Sequence, residues 1–238
     1  YIYVDVKKYQ KSLILKDIKV PGSTKRIIRD YIVLTFLGGN DFIPALPFTT
    51  IRDNKNMSII SSAYKNAIRL SKGKYLVSFK NGEYIINAGV LKHVFNELGN
   101  NESYYLRDKL KRIDRYRPMM DDTKNLSENE IKMNIFEHKF FYDKRHPFYK
   151  KYMKELKKID YNADKKIWRK QYYNHFFNIS SEKEIEHICL KYLECLYFVF
   201  HYYLNELKSW TYFYDYHKSP LPSDIANVIS KHKKFNFT

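Results

Sequence analysis

The chain has 238 residues, of which 44% are hydrophobic and 17% aromatic, and its 43 Lys and Arg against 26 Asp and Glu give a net charge of +17. That is enough apolar material for a core in one or two domains, and it excludes wholesale disorder in spite of a mean hydropathy of −0.59. No uncharged apolar run approaches the roughly 20 residues that span a bilayer, so no membrane partner is expected.

The opening, Tyr1-Ile2-Tyr3-Val4, is apolar and has no initiating Met, and it reads as an internal piece of a longer protein. Asp5 is placed to cap a helix carrying Tyr9, Leu13 and Ile14, which Pro21-Gly22 breaks. Ser23 caps a second helix with Ile27, Ile28, Tyr31, Ile32, Thr35 and Phe36 at helical spacing, stopped by Gly38-Gly39. From Phe42 to Asn54, Pro44 and Pro47 and the lack of periodicity predict an ordered loop, followed by a helix from Met57 to Leu70. Asn81-Gly82 between Lys74–Phe79 and Tyr84–Ile86 predicts a hairpin. Asn87 then caps a helix bearing Val90, Leu91, Val94, Phe95 and Leu98, closed by Gly99.

From Arg107 to Lys132 the chain is dense in Lys, Arg, Asp and Asn, and it reads as a mobile connector or a basic surface segment. Short helices are predicted over Phe148–Leu156 and Lys166–Phe176. Ser181 and Glu184 form a capping box for the longest helix, whose buried face runs Ile185, Ile188, Cys189, Tyr192, Leu193, Leu196 and Val199 towards Leu204. Cys189 and Cys195 on that helix match no metal spacing and read as reduced, buried thiols. Ser209 to Pro222 is neither helical nor alternating, yet it holds Trp210, Tyr212, Phe213, Tyr214, Tyr216 and His217, an aromatic loop. Ser223-Asp224 caps a last helix through Ile229, and there is no internal repeat.

The positive charge suits a polyanion, because Lys and Arg release the counterions condensed on phosphates. A lysine-rich solvated surface is the alternative, and an AT-rich genome, as in a protist or a large DNA virus, would produce the same excess of Lys, Asn, Ile, Tyr and Phe. Asp41, delivered by two glycines at the end of an apolar helix, is either a turn aspartate bonding nearby amides or one of several carboxylates around a divalent cation. Glu137, His138, Asp143 and His146 are of types that suit zinc, but their spacing fits no known site.

Gly39-Asn40-Asp41-Phe42-Ile43-Pro44-x-x-Pro47 resembles the GNDFLPxxP signature of Xrn-type 5′→3′ exoribonucleases. Tyr31 to Leu37 stands where that family has its apolar helix, and Thr50-Ile51-Arg52 is similar to its Glu-Ile-Arg. Tyr192-Leu193-Glu194-Cys195-Leu196 with His201-Tyr202-Tyr203, and then Ser209-Trp210-x-Tyr212-Phe213-Tyr214-x-Tyr216-His217-x-x-Pro220 with Ser223-Asp224, resemble the family's later helix and its SWxWYYPYHYAPxxSD block. The departures are Tyr212 for the second Trp, Asp215 for a Pro, Lys218-Ser219 for Tyr-Ala, and Ala45 for a His.

The resemblance implies the α/β end of a PIN-like (FEN-like) nuclease domain over 1–106, turning mainly helical, with one small β-hairpin. It also implies a basic connector over 107–160, and a helical region over 161–238 whose aromatic loop lines a substrate channel. The implied reaction is hydrolysis of single-stranded RNA carrying a 5′-monophosphate, with two Mg²⁺ (or Mn²⁺) ions about 4 Å apart activating water and stabilising the leaving oxygen. Asp41 would be a metal ligand and the catalytic residue of this chain. The family's other carboxylates and its 5′-phosphate pocket stand upstream of the GNDF motif, so they are expected in a preceding N-terminal portion of the protein. Trp210, Tyr212 and His217 are the substrate-binding candidates, with Trp210 stacking on a base. A core tryptophan and a satisfied core histidine are the competing roles for Trp210 and His217. A degenerate homologue that serves as an RNA-binding or structural component is the rival function, and a DNA-directed flap nuclease a more distant one. Cytoplasmic and nuclear locations both fit the resemblance.

Overall fold

A computed structural model describes residues 3–13, 18, 20, 22–49, 54–115 and 158–232. The fold is mostly helical, with one two-stranded hairpin among the described residues. In chain order the elements are α1 (Val6–Leu13), α2 (Thr24–Phe36), α3 (Asn54–Leu70), β1 (Val77–Lys80), β2 (Glu83–Ile86), α4 (Ala88–Asn100), α5 (Glu102–Arg115), α6 (Lys165–Phe177), α7 (Glu182–Leu204) and α8 (Pro222–Lys231). They fall into two compact units, one of residues 1–102 with 179–238, the other of residues 103–178.

In the first unit Asp5 caps α1 through the Lys8 amide at 3.0 Å. Ser23 stands at the N-cap of α2, but its side chain makes no capping bond. The buried face of α2 carries Ile27, Val33, Leu34 and Phe36, together with Asp30. Asp30 is completely buried and accepts from the Tyr64 hydroxyl at 2.6 Å and from the amides of Leu76 and Val77 at 2.7 and 2.8 Å, so one carboxylate joins α2, α3 and the start of the hairpin. The hairpin is the predicted one: Asn81 and Gly82 both take positive φ, 50° and 85°, and Val77 pairs with Ile86 and Phe79 with Tyr84. The Tyr84 amide and carbonyl point away from β1, where the Asn205 side chain accepts from the one and donates to the other at 2.8 Å each. The Arg29 guanidinium lies 4.6 Å from the Tyr84 ring centre.

Asn87 caps α4 as predicted, accepting from Gly89 and Val90. Gly99 does not close this helix but lies within it, since α4 runs to Asn100. A Cβ at Gly99 would stand 2.7 Å from the Ser223 Cα, so the glycine is needed for the close approach of α8. Gly99→Ala is therefore expected to destabilise by about 1 to 3 kcal/mol, overpacking outweighing the roughly 1 kcal/mol that Ala contributes to helix propensity. A rise in the melting temperature of that variant would refute the packing role.

α8 begins at Pro222, with Pro in the first turn, one residue before the predicted Ser223-Asp224 cap. Ser223 instead donates its amide and hydroxyl to Glu102 at 3.1 and 2.7 Å. The Glu102 carboxylate, buried at the N-terminus of α8, thereby meets orphan donors and the favourable end of the helix dipole. α4 packs on α3 and α8, and α8 packs on α7. α7 carries the predicted capping box, with Ser181 and Glu184 bonding reciprocally. Its buried face holds Cys189 and Cys195 as buried thiols that form no disulfide among the described residues.

In the second unit, α5 continues over residues 103–115, so the chain is helical over the first part of the lysine-rich stretch beginning at Arg107. Leu106 and Leu110, four apart, already had helical spacing, hidden by the charges between them. α6 is capped by Asp164, which accepts from Lys166, and it ends at Asn178 in the left-handed region. Trp168 is buried, its ring edge-on to Tyr161 at 5.5 Å. Residues 116–157 of the expected connector, with the Phe148–Leu156 helix and the zinc-type residues Glu137, His138, Asp143 and His146, lie outside the described residues, as does Thr50-Ile51-Arg52.

Candidate functional site

The turn that follows α2 is shaped from within. Gly38 and Gly39 donate to Thr35 and Phe36, which ends the helix. Gly39 has φ +87°, and a Cβ there would lie 2.8 Å from the Ala45 nitrogen. The Asn40 side chain accepts from the amides of Phe42 and Ile43 at 2.9 and 3.0 Å, and the Asn40 amide donates to the Ile43 carbonyl at 3.0 Å. The loop is closed at its base on the Leu37 carbonyl, which receives the Leu46 amide at 3.0 Å and the Thr49 hydroxyl at 3.1 Å.

Asn40, not Asp41, therefore does the turn-forming work that sequence reasoning offered to the aspartate. An Asn accepting two and three residues ahead is a legible Asx-turn pattern, overshadowed by its acidic neighbour. Asp41 is left exposed, with no hydrogen-bond or ion-pair partner among the described residues. No three His, Cys, Asp or Glu side chains come together into a metal-binding group among those residues. Asp41 can thus supply one hard-oxygen ligand to a divalent cation but not a complete site.

Long-range bonds hold the same turn from outside. The Cys195 thiol donates to the Phe42 carbonyl at 3.3 Å, the Tyr192 hydroxyl to the Pro44 carbonyl at 3.3 Å, and the Ser219 hydroxyl to the Ala45 carbonyl at 2.9 Å. Burial pushes the Cys195 thiol up to about 12 and raises the Tyr192 hydroxyl, so both keep their protons and remain donors at neutral pH. The Phe42 ring adds apolar contact, 5.7 Å from Phe198 and 5.1 Å from Tyr202.

The aromatic segment runs irregularly from Asn205 to Leu221. Its burial alternates: Tyr212, Tyr214 and Tyr216 are half-buried, whereas Phe213, Asp215 and His217 are exposed. This two-residue period is invisible in the composition because the outward Phe213 is as aromatic as the inward tyrosines. The inward rings anchor the segment: Tyr212 lies 4.8 Å from Phe198 and donates to the Lys191 carbonyl at 3.4 Å, and Tyr214 packs edge-on to Tyr192 at 5.9 Å and donates to the Lys218 carbonyl.

Trp210 is 93% exposed, which overturns the core alternative for this residue. His217 is exposed as well and is not a core histidine. Of the three aromatic-loop candidates, Tyr212 alone is an anchor, turned inward beneath the segment. Beside Trp210 in sequence, Ser209, Thr211, Tyr212 and Phe213 line a surface cavity of about 580 Å³ together with Lys191, Glu194 and Lys208, so Tyr212 both anchors the segment and contributes to the cavity wall. Lys191 pairs with Glu194 at 2.9 Å and Lys208 with Glu83 at 3.4 Å. Among the described residues no helix is long and apolar enough to cross a membrane.

A family model described as the Xrn1 helical domain matches residues 22–167 and 162–238. The 5′-3′ exoribonuclease 2 of Arabidopsis thaliana is 28% identical over 288 residues, covering 92% of this chain and 28% of the relative. The 5′-3′ exoribonuclease 1 of Homo sapiens is 26% identical over 265 residues, covering 95% of this chain and 14% of the relative. The 5′-3′ exoribonuclease 2 of Cryptococcus neoformans is 36% identical over 83 residues, covering 32% of this chain and 7% of the relative. The chain therefore spans much less than half the length of these relatives, and nothing in the comparisons supports a virus-encoded origin. The family model covers most of the chain, and the GNDF turn and the aromatic segment carry the family's pattern, so this chain belongs to the Xrn-type family, as its helical domain.

Proposed function

We propose that this chain is part of a 5′→3′ exoribonuclease that degrades single-stranded RNA bearing a 5′-monophosphate, closing a PIN-like catalytic domain and lining its RNA channel. The observation that carries the reading is the pairing, within one compact unit, of an exposed carboxylate on a tightly built turn with an almost fully exposed tryptophan on an anchored aromatic segment. Asp41 would be one ligand of Mg²⁺ (or Mn²⁺), with further carboxylates supplied by a portion of the protein preceding this chain. The metal ions would supply water activation and stabilisation of the leaving oxygen. Trp210 would stack on a base without regard to sequence, as a processive nuclease requires. His217 would face the strand from the outward side of the segment, and Tyr212 would hold the segment in place. The proposed locations, cytoplasm or nucleus, are those where such RNA occurs.

The test is digestion of 5′-monophosphorylated and 5′-hydroxyl single-stranded RNA by the full-length protein with Mg²⁺. Directional digestion of the phosphorylated strand is expected; RNA binding without any digestion would favour the degenerate, RNA-binding homologue. Trp210→Ala is expected to weaken RNA binding about 5- to 150-fold, the equivalent of about 1 to 3 kcal/mol of stacking, with Phe or Tyr at this position keeping most of the affinity. Because the ring is exposed, the melting curve should not move. Unchanged RNA affinity in a folded Trp210→Ala variant would remove Trp210 from the interface.

A further inference from the structure

Resting on the reading of Asp41 as a metal ligand, we propose that Tyr192, Cys195 and Ser219 are positioning residues for that carboxylate, fixing where its turn stands and tying it to the aromatic segment. The bonds made by Asn40 are all local, to residues 42 and 43, so they give the turn its shape and would travel with it if it moved as a body. What locates the turn are bonds that leave it. The three donors come from residues 148, 153 and 174 positions away and reach carbonyls at 44, 42 and 45, close to Asp41 on its C-terminal side.

Tyr192 and Cys195 are three apart on α7 and share one face of it, so a rigid helix presents both donors together. Ser219 belongs to the aromatic segment itself and is buried. The Tyr212 hydroxyl also lies against the Cys195 sulfur, so the segment reaches the turn twice, directly through Ser219 and through the thiol. The segment that would hold the strand and the turn that would hold the metal are therefore braced on each other.

The test uses the full-length protein and the variants Tyr192→Phe, Cys195→Ala, Ser219→Ala and the triple combination, with Asp41→Ala in parallel. Mn²⁺ binding without RNA is followed by electron paramagnetic resonance, and kcat and KM for RNA are measured against Mg²⁺ concentration. Each single variant is expected to weaken Mn²⁺ binding about 10-fold, as removal of an outer-shell partner does, and to raise the Mg²⁺ needed for half-maximal kcat, while KM for RNA at saturating Mg²⁺ changes less than kcat. Cys195→Ser, which keeps a donor, should restore most of the loss.

Wild-type Mn²⁺ binding in the three folded single variants, with binding lost in Asp41→Ala, would overturn the positioning role and leave the ligand role standing. Unchanged Mn²⁺ binding in Asp41→Ala would overturn the ligand reading and this inference with it. If the triple variant does not fold, the three singles decide.

Discussion

Asp41→Ala in the full-length protein is expected to lower the rate of RNA degradation at least about 1,000-fold, some 4 kcal/mol of barrier, while leaving the melting transition in place. The two halves of that expectation have separate causes. Loss of rate follows from removing a hard-oxygen ligand from a site where metal ions carry the chemistry. Preservation of the fold follows from geometry: the side chain is exposed and has no partner among the described residues, and the turn is closed by Asn40, Leu37 and Thr49. Asn40→Ala makes the contrasting control, because it orphans the amides of Phe42 and Ile43 and should lower the melting temperature. Retention of more than about a tenth of the rate by folded Asp41→Ala, a loss of under about 1.4 kcal/mol, would end the ligand assignment.

For stability, the largest expected effect is that of Asp30→Ala, about 3 to 5 kcal/mol by urea unfolding of this chain. Removal of this carboxylate leaves the Tyr64 hydroxyl and the amides of Leu76 and Val77 buried without an acceptor, and detaches the hairpin from α2. A loss below about 1 kcal/mol would mean that water or a rearranged Tyr64 replaces the carboxylate.

The same residue sets a pH dependence. Burial raises the Asp30 carboxyl to about 6, against the opposing pull of Tyr64 and the two amides. The folded chain then holds this proton more tightly than the unfolded chain, whose Asp titrates near 3.9. Its contribution to stability is complete below about pH 4 and is lost as the pH rises through about 6. In Asp30→Asn that part of the pH profile should be flat; a wild-type profile with the opposite slope from pH 4 to 6 would reverse the sign.

Local chemistry was legible in the sequence wherever one residue type has one conformational use. Asn81-Gly82 specified a hairpin, Asn87 a cap, and Ser181 with Glu184 a capping box, and all three stand as read. Tertiary uses of the same residue types were not legible. Gly99 reads as a helix stop, but its missing Cβ is needed by α8. Ser223 reads as a cap, but it serves as donor to Glu102, 121 residues away. In the candidate site, Asp41 and Trp210 were visible through the family pattern. The groups that shape and brace the turn carrying Asp41, namely Asn40, Tyr192, Cys195 and Ser219, lay in the shadow of more reactive neighbours or at positions that read as ordinary core. Asp30 was hidden among the apolar residues of α2, since no spacing rule tells a buried acceptor from a solvated one.

Asn205 has a consequence for how this unit opens. It ends α7, its amide bonding the His201 carbonyl at 3.0 Å, and its side chain occupies both outward backbone groups of Tyr84. A single side-chain amide thus takes the place of one residue of a third strand and blunts an edge at which another chain could add. It also means that fraying the last turn of α7 and freeing the outward amide and carbonyl of Tyr84 are coupled. Segments that lie 121 positions apart in the chain are protected, or exposed to solvent exchange, together.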